Sequence, residues 1–121
     1  MKDPDQQHPI AEAWRPTVRQ IARALAEGDH TLSRGIPSVA PPRESTAGQM
    51  RSYLSQYGET LAAELPDQSW DTSVALWMNG YWEVLVDLWT VESGRSDLVL
   101  HLRVFEAGKG FRFELHGVYV P

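Results

Sequence analysis

The apolar positions of this chain follow a helical period in its first half and a period of two in its second. Trp14, Val18, Ile21, Ala22 and Leu25 recur at helical spacing, Pro16 is tolerated only in a first turn, and Gly28 suits the left-handed residue past a helix end. A helix over 16–26 is therefore predicted. Between residues 29 and 43, Gly35, Pro37, Pro41 and Pro42 stop any long element and leave room for one short turn. A second helix is predicted to open at Thr46, whose hydroxyl caps it while Gln49 reaches back; Met50, Tyr53, Leu54 and Tyr57 form its apolar stripe, and Gly58 ends it. Leu61 and Leu65 are also helically spaced, but Gly58 and Pro66 confine that segment.

From residue 72 onward the alternation predicts four antiparallel strands in a meander, over 72–78, 81–90, 97–106 and 111–120. Asn79-Gly80 suits the positive φ angles of a two-residue hairpin. Gly94 marks the second turn and Ala107-Gly108-Lys109-Gly110 the third. Opposed residues in an antiparallel pair have a constant sum of residue numbers and share a face, so each turn implies a register. For the middle hairpin, Leu88 opposite Leu100 brings apolar residues together. One face then carries Ala75, Trp77, Trp82, Val84, Val86, Leu88, Leu98, Leu100, Leu102, Val104, Phe111, Phe113 and Leu115, and is the expected core. The fold class is α+β: two N-terminal helices packed on one face of a four-stranded antiparallel meander sheet. Residues 1–13 read as a polar N-terminal arm and 14–121 as a single α+β domain.

The second face is mixed. Val74, Leu76, Met78, Tyr81, Leu85, Trp89, Val99, Phe105 and Val118 lie there among Glu83, Asp87, His101, Arg103, Arg112, Glu114 and His116. That many large apolar groups predict a cover over Leu76, Leu85, Trp89 and Phe105: the N-terminal arm through Ile10 and Trp14, a second copy of the chain, or a partner protein.

Composition narrows the classes of function. At 121 residues and 42% hydrophobic, the chain has the length for one core and not for two. Its formal charge of −5 has the wrong sign for neutralising phosphates, so no nucleic-acid partner is expected. Without cysteine there are no disulfides, thiolate metal sites or cysteine nucleophiles. No apolar stretch approaches the length of a membrane span and the start has no apolar signal core, so the expectation is a cytoplasmic protein that meets no membrane.

Under the assumed register Asp87, His101 and His116 fall in one row across three strands. Two imidazoles and a carboxylate have the chemistry to hold a divalent metal or to move a proton, yet the same residues are ordinary occupants of a solvated sheet face. The expectation is that no metal and no cofactor is bound, and no catalytic residue is assigned. Arg103 and Glu114 oppose each other as a surface ion pair. Trp77 and Trp82 flank the Asn79-Gly80 turn, as core or as a stacking surface. No Gly-x-Ser-x-Gly or Ser-x-x-Lys motif and no glycine-rich phosphate loop occurs.

The run from Leu88 through Trp89, Thr90, Val91, Glu92, Ser93, Gly94, Arg95, Ser96 and Asp97 to Leu98 resembles a family of small uncharacterised bacterial proteins of unknown function. The helix end at Leu25-Ala26-Glu27-Gly28-Asp29, the Tyr57-Gly58 stop and Gly117-Val118-Tyr119-Val120 extend the likeness. That family lends no catalytic residue. Helix, broken connection, helix and antiparallel meander are also similar to cystatin-like and nuclear-transport-factor-like folds, a likeness of fold that carries no function.

Two functions compete. The first is a non-enzymatic interaction module, immunity-type or regulatory, that uses the mixed sheet face to bind a protein partner or a second copy; its acidic charge would steer a basic partner. The second is a small-molecule-binding protein or acid–base enzyme with a pocket between sheet and helices, walled by Trp77, Trp82, Tyr53 or Tyr57.

Overall fold

The computed structural model describes residues 2–121. A 3-10 turn, Glu12–Trp14, runs into α1, Arg15–Ala26; β1, Val39–Ala40, precedes α2, Glu44–Tyr57. A second 3-10 turn, Asp67–Asp71, leads to β2, Val74–Trp77, β3, Trp82–Thr90, β4, Gly94–Ala107, and β5, Gly110–Tyr119. The class is α+β with two helices, but the sheet has five strands in the order β1-β5-β4-β3-β2 and is mixed. The additional strand comes from the proline-rich connection, where only a turn was expected. Val39 and Ala40 pair in parallel with Phe113 and Glu114, and Ser38 accepts the Phe113 N–H at 2.8 Å. No alternation announces two residues flanked by prolines; the pairing is imposed from outside by β5. Among the described residues no helix is long and apolar enough to cross a membrane.

Turn chemistry sets the outer registers as expected. Asn79 and Gly80 have φ of 59° and 159°, and Met78 donates to the Tyr81 carbonyl at 2.8 Å, so Trp77 faces Trp82. At the last hairpin Glu106 faces Phe111, and Ala107 pairs with Gly110, which tightens the connection to Gly108-Lys109. The middle register differs: Val86, not Leu88, stands opposite Leu100. An irregularity between Asp87 and Trp89 lets β4 use the four steps from Arg95 to Val99 against two on β3. Buried Ser96 satisfies the disrupted ladder there, donating to the Leu88 carbonyl at 2.8 Å and accepting the Leu98 N–H at 3.1 Å.

Because the register error is two residues, an even number, the faces keep their identity. Val84, Val86, Leu98, Leu100, Leu102 and Val104 are fully buried, and Trp82, Leu88, Phe113 and Leu115 nearly so. A second bulge, between His101 and Leu102 on the β4 side, is different. Leu102 faces Leu115 and His101 faces Gly117, so His116 is an odd extra residue on β5. Parity flips after it. Val118, expected on the second face, turns into the core opposite Leu100, and Tyr119 turns out.

The helices cover the core face. Val18, Ile21, Ala22 and Leu25 of α1 and Ala47 and Met50 of α2 are buried, each large apolar side chain contributing about 1.5–3 kcal/mol relative to exposure. Gly58 closes α2 with φ 79°, as its position predicts. The helix start is a correction: α2 opens at Glu44, no side chain caps it, and Gln49 donates to the Val118 carbonyl at 2.9 Å instead of reaching back to Thr46. Ahead of α1, His8 and Ala75 exchange both backbone hydrogen bonds, at 2.9 and 2.8 Å, along the free edge of β2. Ile10 and Trp14 are buried in the main core, where Trp14 packs edge-on against Trp82 and Phe111. They therefore lie on the helix side and do not cover the second face.

Candidate functional site

With both helices on one side, the other side of the sheet is the candidate site. Registers arrange it in rows across the strands. Leu76, Glu83, Arg103 and Glu114 form one; Val74, Leu85, His101 and Gly117 form the next; Asp87, Val99 and Tyr119 form a third.

Glu83 is the hub of the polar part. Its Oε1 meets His101 Nε2 directly and accepts from Arg103 Nε at 3.2 Å, while His101 Nδ1 lies 3.3 Å from the Tyr119 hydroxyl. Burial of Glu83 favours its neutral form, but the hydrogen bonds and charges of His101 and Arg103 outweigh this and lower its pKa. An ionised carboxylate only accepts, so Nε2–H of His101 donates to Glu83. A second carboxylate, Glu114, pairs with Arg112 and with His116 at 3.2 Å; these partners likewise outweigh its partial burial and lower its pKa. The two imidazoles lie 5.5 Å apart between ring centroids. Proton relay from Tyr119 through His101 to Glu83 is geometrically connected, but the groups spend their hydrogen-bonding capacity on one another.

The expected row of Asp87, His101 and His116 is only partly assembled. His101 and His116 do come together, whereas Asp87 stands opposite Val99 and its carboxylate accepts from Thr72 Oγ1. The two-residue shift at the Asp87/Trp89 irregularity is the reason: it puts Leu85, not Asp87, across from His101. Among the described residues no cluster of three His, Cys, Asp or Glu side chains is disposed to hold a metal ion. Arg103 and Glu114 are register partners as expected, but their ion pairs run to Glu83 and Arg112 respectively. Sequence reasoning missed Glu83 because the middle register was misplaced, and Tyr119 because the bulge at His116 reverses its side. The one signal for the latter was Gly117, an unusual residue inside a strand.

Leu76, Leu85, Trp89 and Phe105 share the open face and are half-buried. They do not form one continuous patch. Phe105 packs against Tyr81 at 5.4 Å with Arg112 4.3 Å over its ring, and the Glu83–Arg103 pair separates that aromatic group from Leu85. Two ion pairs cross the polar part of the face, Glu83 with Arg103 and Glu114 with Arg112.

The space between sheet and helices, where the small-molecule alternative put its pocket, is filled by Trp14, Ile21, Met50, Trp82 and Leu100. Trp82 is core, with Trp77 tilted against it at 5.2 Å and Lys2 4.8 Å over the Trp77 ring.

At the far tip, the β3–β4 turn is braced by the chain after α2. Val91 donates to the Thr60 carbonyl at 2.8 Å and Ala62 to that of Trp89 at 2.9 Å; Glu59 accepts from Thr90 and Ser93, and Glu92 from the Thr60 amide and hydroxyl. The run from Leu88 to Leu98 is thus a scaffold of turn, bulge and brace.

Fold and site together define a small α+β domain with helices on one side of a mixed sheet and a polar, aromatic face on the other. Residues 22–121 match a domain of unknown function, DUF7668, and the chain belongs to that family. No curated protein and no solved structure matches it.

Proposed function

We propose that the protein is a non-catalytic interaction module, of an immunity or regulatory kind, that docks through the open face of its sheet, most simply onto a second copy of itself. One observation carries the reading: both helices pack on one side of the sheet, and Leu76, Leu85, Trp89, Tyr81 and Phe105 on the other side are half-buried. The ion pairs Glu83–Arg103 and Glu114–Arg112 on that face support self-association in particular, because an isologous contact uses the same patch twice and charge paired within each copy does not repel the other. Filling of the space between sheet and helices weighs against the pocket alternative.

Sedimentation at micromolar concentration tests this, with the wild type and Trp89→Glu. A dimer that the variant converts to monomer supports the reading. A wild type that stays monomeric throughout, or a dimer that Trp89→Glu and Leu85→Lys leave intact, overturns it.

A further inference from the structure

His101 stands at the centre of the open face. β4 is the middle strand of the five, and His101 falls midway along Gly94–Ala107. Its row partners are Leu85 on β3 and Gly117 on β5. Gly117 has no side chain to set beside the imidazole, and rings from its two neighbours take that side: His116 at 5.5 Å and, edge-on, Tyr119 at 5.9 Å between centroids. Both imidazoles keep an opening to solvent, their side chains being 19% and 30% exposed. A contact that covers the face covers this pair.

Charge around the pair is balanced only while the rings are neutral. Glu83 of β3 is shared by His101 and Arg103 of β4, and Glu114 of β5 by His116 and Arg112. Each carboxylate thus already faces a permanent guanidinium. Arg43, ahead of α2, lines a groove together with His116 and adds positive charge on that flank, while the Asp87 carboxylate is taken by Thr72 and the Tyr119 hydroxyl brings no charge. Imidazole is the side chain that ordinarily gains its charge between roughly pH 8 and 5. Glu83 and Glu114, with lowered pKa values, stay ionised over that range. Two protons therefore leave each copy with positive charge that no carboxylate of the face is free to offset. A two-fold contact sets this centre against itself and excludes the water that screens like charges. We propose that acid releases the self-contact of the open face: protonation of His101 and His116 places like charges against one another at the middle of the interface, and the two copies part. The inference rests on the self-association proposed above and adds its regulation.

Sedimentation of the full chain at pH 7.5 and 5.5, at one ionic strength, tests it. The dimer Kd should be at least ten-fold higher at pH 5.5. The double variant His101→Gln, His116→Gln should reduce that ratio to less than two-fold. His30→Gln should keep it, because His30 lies on the helix side, in a groove with Arg51 and Leu54. In the wild type, the ring resonances of His101 and His116 should titrate at lower pH in the dimer than in the monomer, a readout that needs no variant. A dimer as tight or tighter at pH 5.5, a ratio that survives the double variant, or equal titration midpoints in dimer and monomer would overturn the acid release and leave self-association standing. A wild type that is monomeric already at pH 7.5 would overturn both.

Discussion

Gln49, in the second turn of α2, donates a 2.9 Å hydrogen bond to the carbonyl of Val118, locking the helix to the strand just past the bulge at His116. Gly117 makes this approach possible. A Cβ there would meet Gln49 Oε1 at 3.1 Å, and its φ of 155° is one that other residues rarely adopt. Gly117→Ala should therefore cost about 1–3 kcal/mol. Urea unfolding measures it, and Gln49→Ala in the same background should relieve the steric part alone.

Leu102 is fully buried in the middle of β4. Leu102→Ala should cost about 2–5 kcal/mol, as cavity-forming substitutions do. A loss below about 1 kcal/mol would place Leu102 on the open face, since a one-residue slip exchanges the two sides.

Ser96→Ala removes a hydroxyl that serves two backbone groups at the β3–β4 irregularity, leaving the Leu88 carbonyl and Leu98 amide without it. The expected loss is about 1–3 kcal/mol. Hydrogen exchange should quicken at Leu98 first.

Acid should weaken the open face before the core. The Glu83 pKa is lowered in the folded chain, so its stabilisation is complete above the unfolded value, near 4.3, and is lost as pH falls through the folded value. Glu114 has the same sign. Unfolding midpoints between pH 6 and 3 should fall, and the double variant Glu83→Gln, Glu114→Gln should flatten that fall while lowering stability at pH 6.

The core was legible in the sequence because parity survives even errors of register. Misplacing Leu88 by two residues left Val84, Val86, Leu100 and Leu102 on the correct side. The polar row was not legible for the same reason in reverse: it depends on which residues are neighbours, and a shift of two replaces Asp87 with Leu85 beside His101. Val118 and Tyr119 were misassigned because a bulge adds one residue, and an odd change reverses sides. β1 could not be read at all, because Val39 and Ala40 are strand only by virtue of Phe113 and Glu114, more than seventy residues away. Helix ends divided likewise. Gly58 stops α2 by its own backbone, whereas the start at Glu44 has no side-chain cap to announce it.

The position of β5 bears on how the molecule comes into being. In chain order it is the last strand, but in the sheet it lies inside, between β1 and β4. An interior strand is therefore made after both of its neighbours. Until residues 110–119 arrive, β4 has an open flank and β1 has nothing to pair with, although α1 and α2 have long been made. Contacts as distant in sequence as Val39 with Phe113 must close last, and such closures are slow. Removing β5 would expose the flank of β4 that the native sheet keeps paired, so a chain lacking residues 110–119 would be prone to pair with its neighbours there.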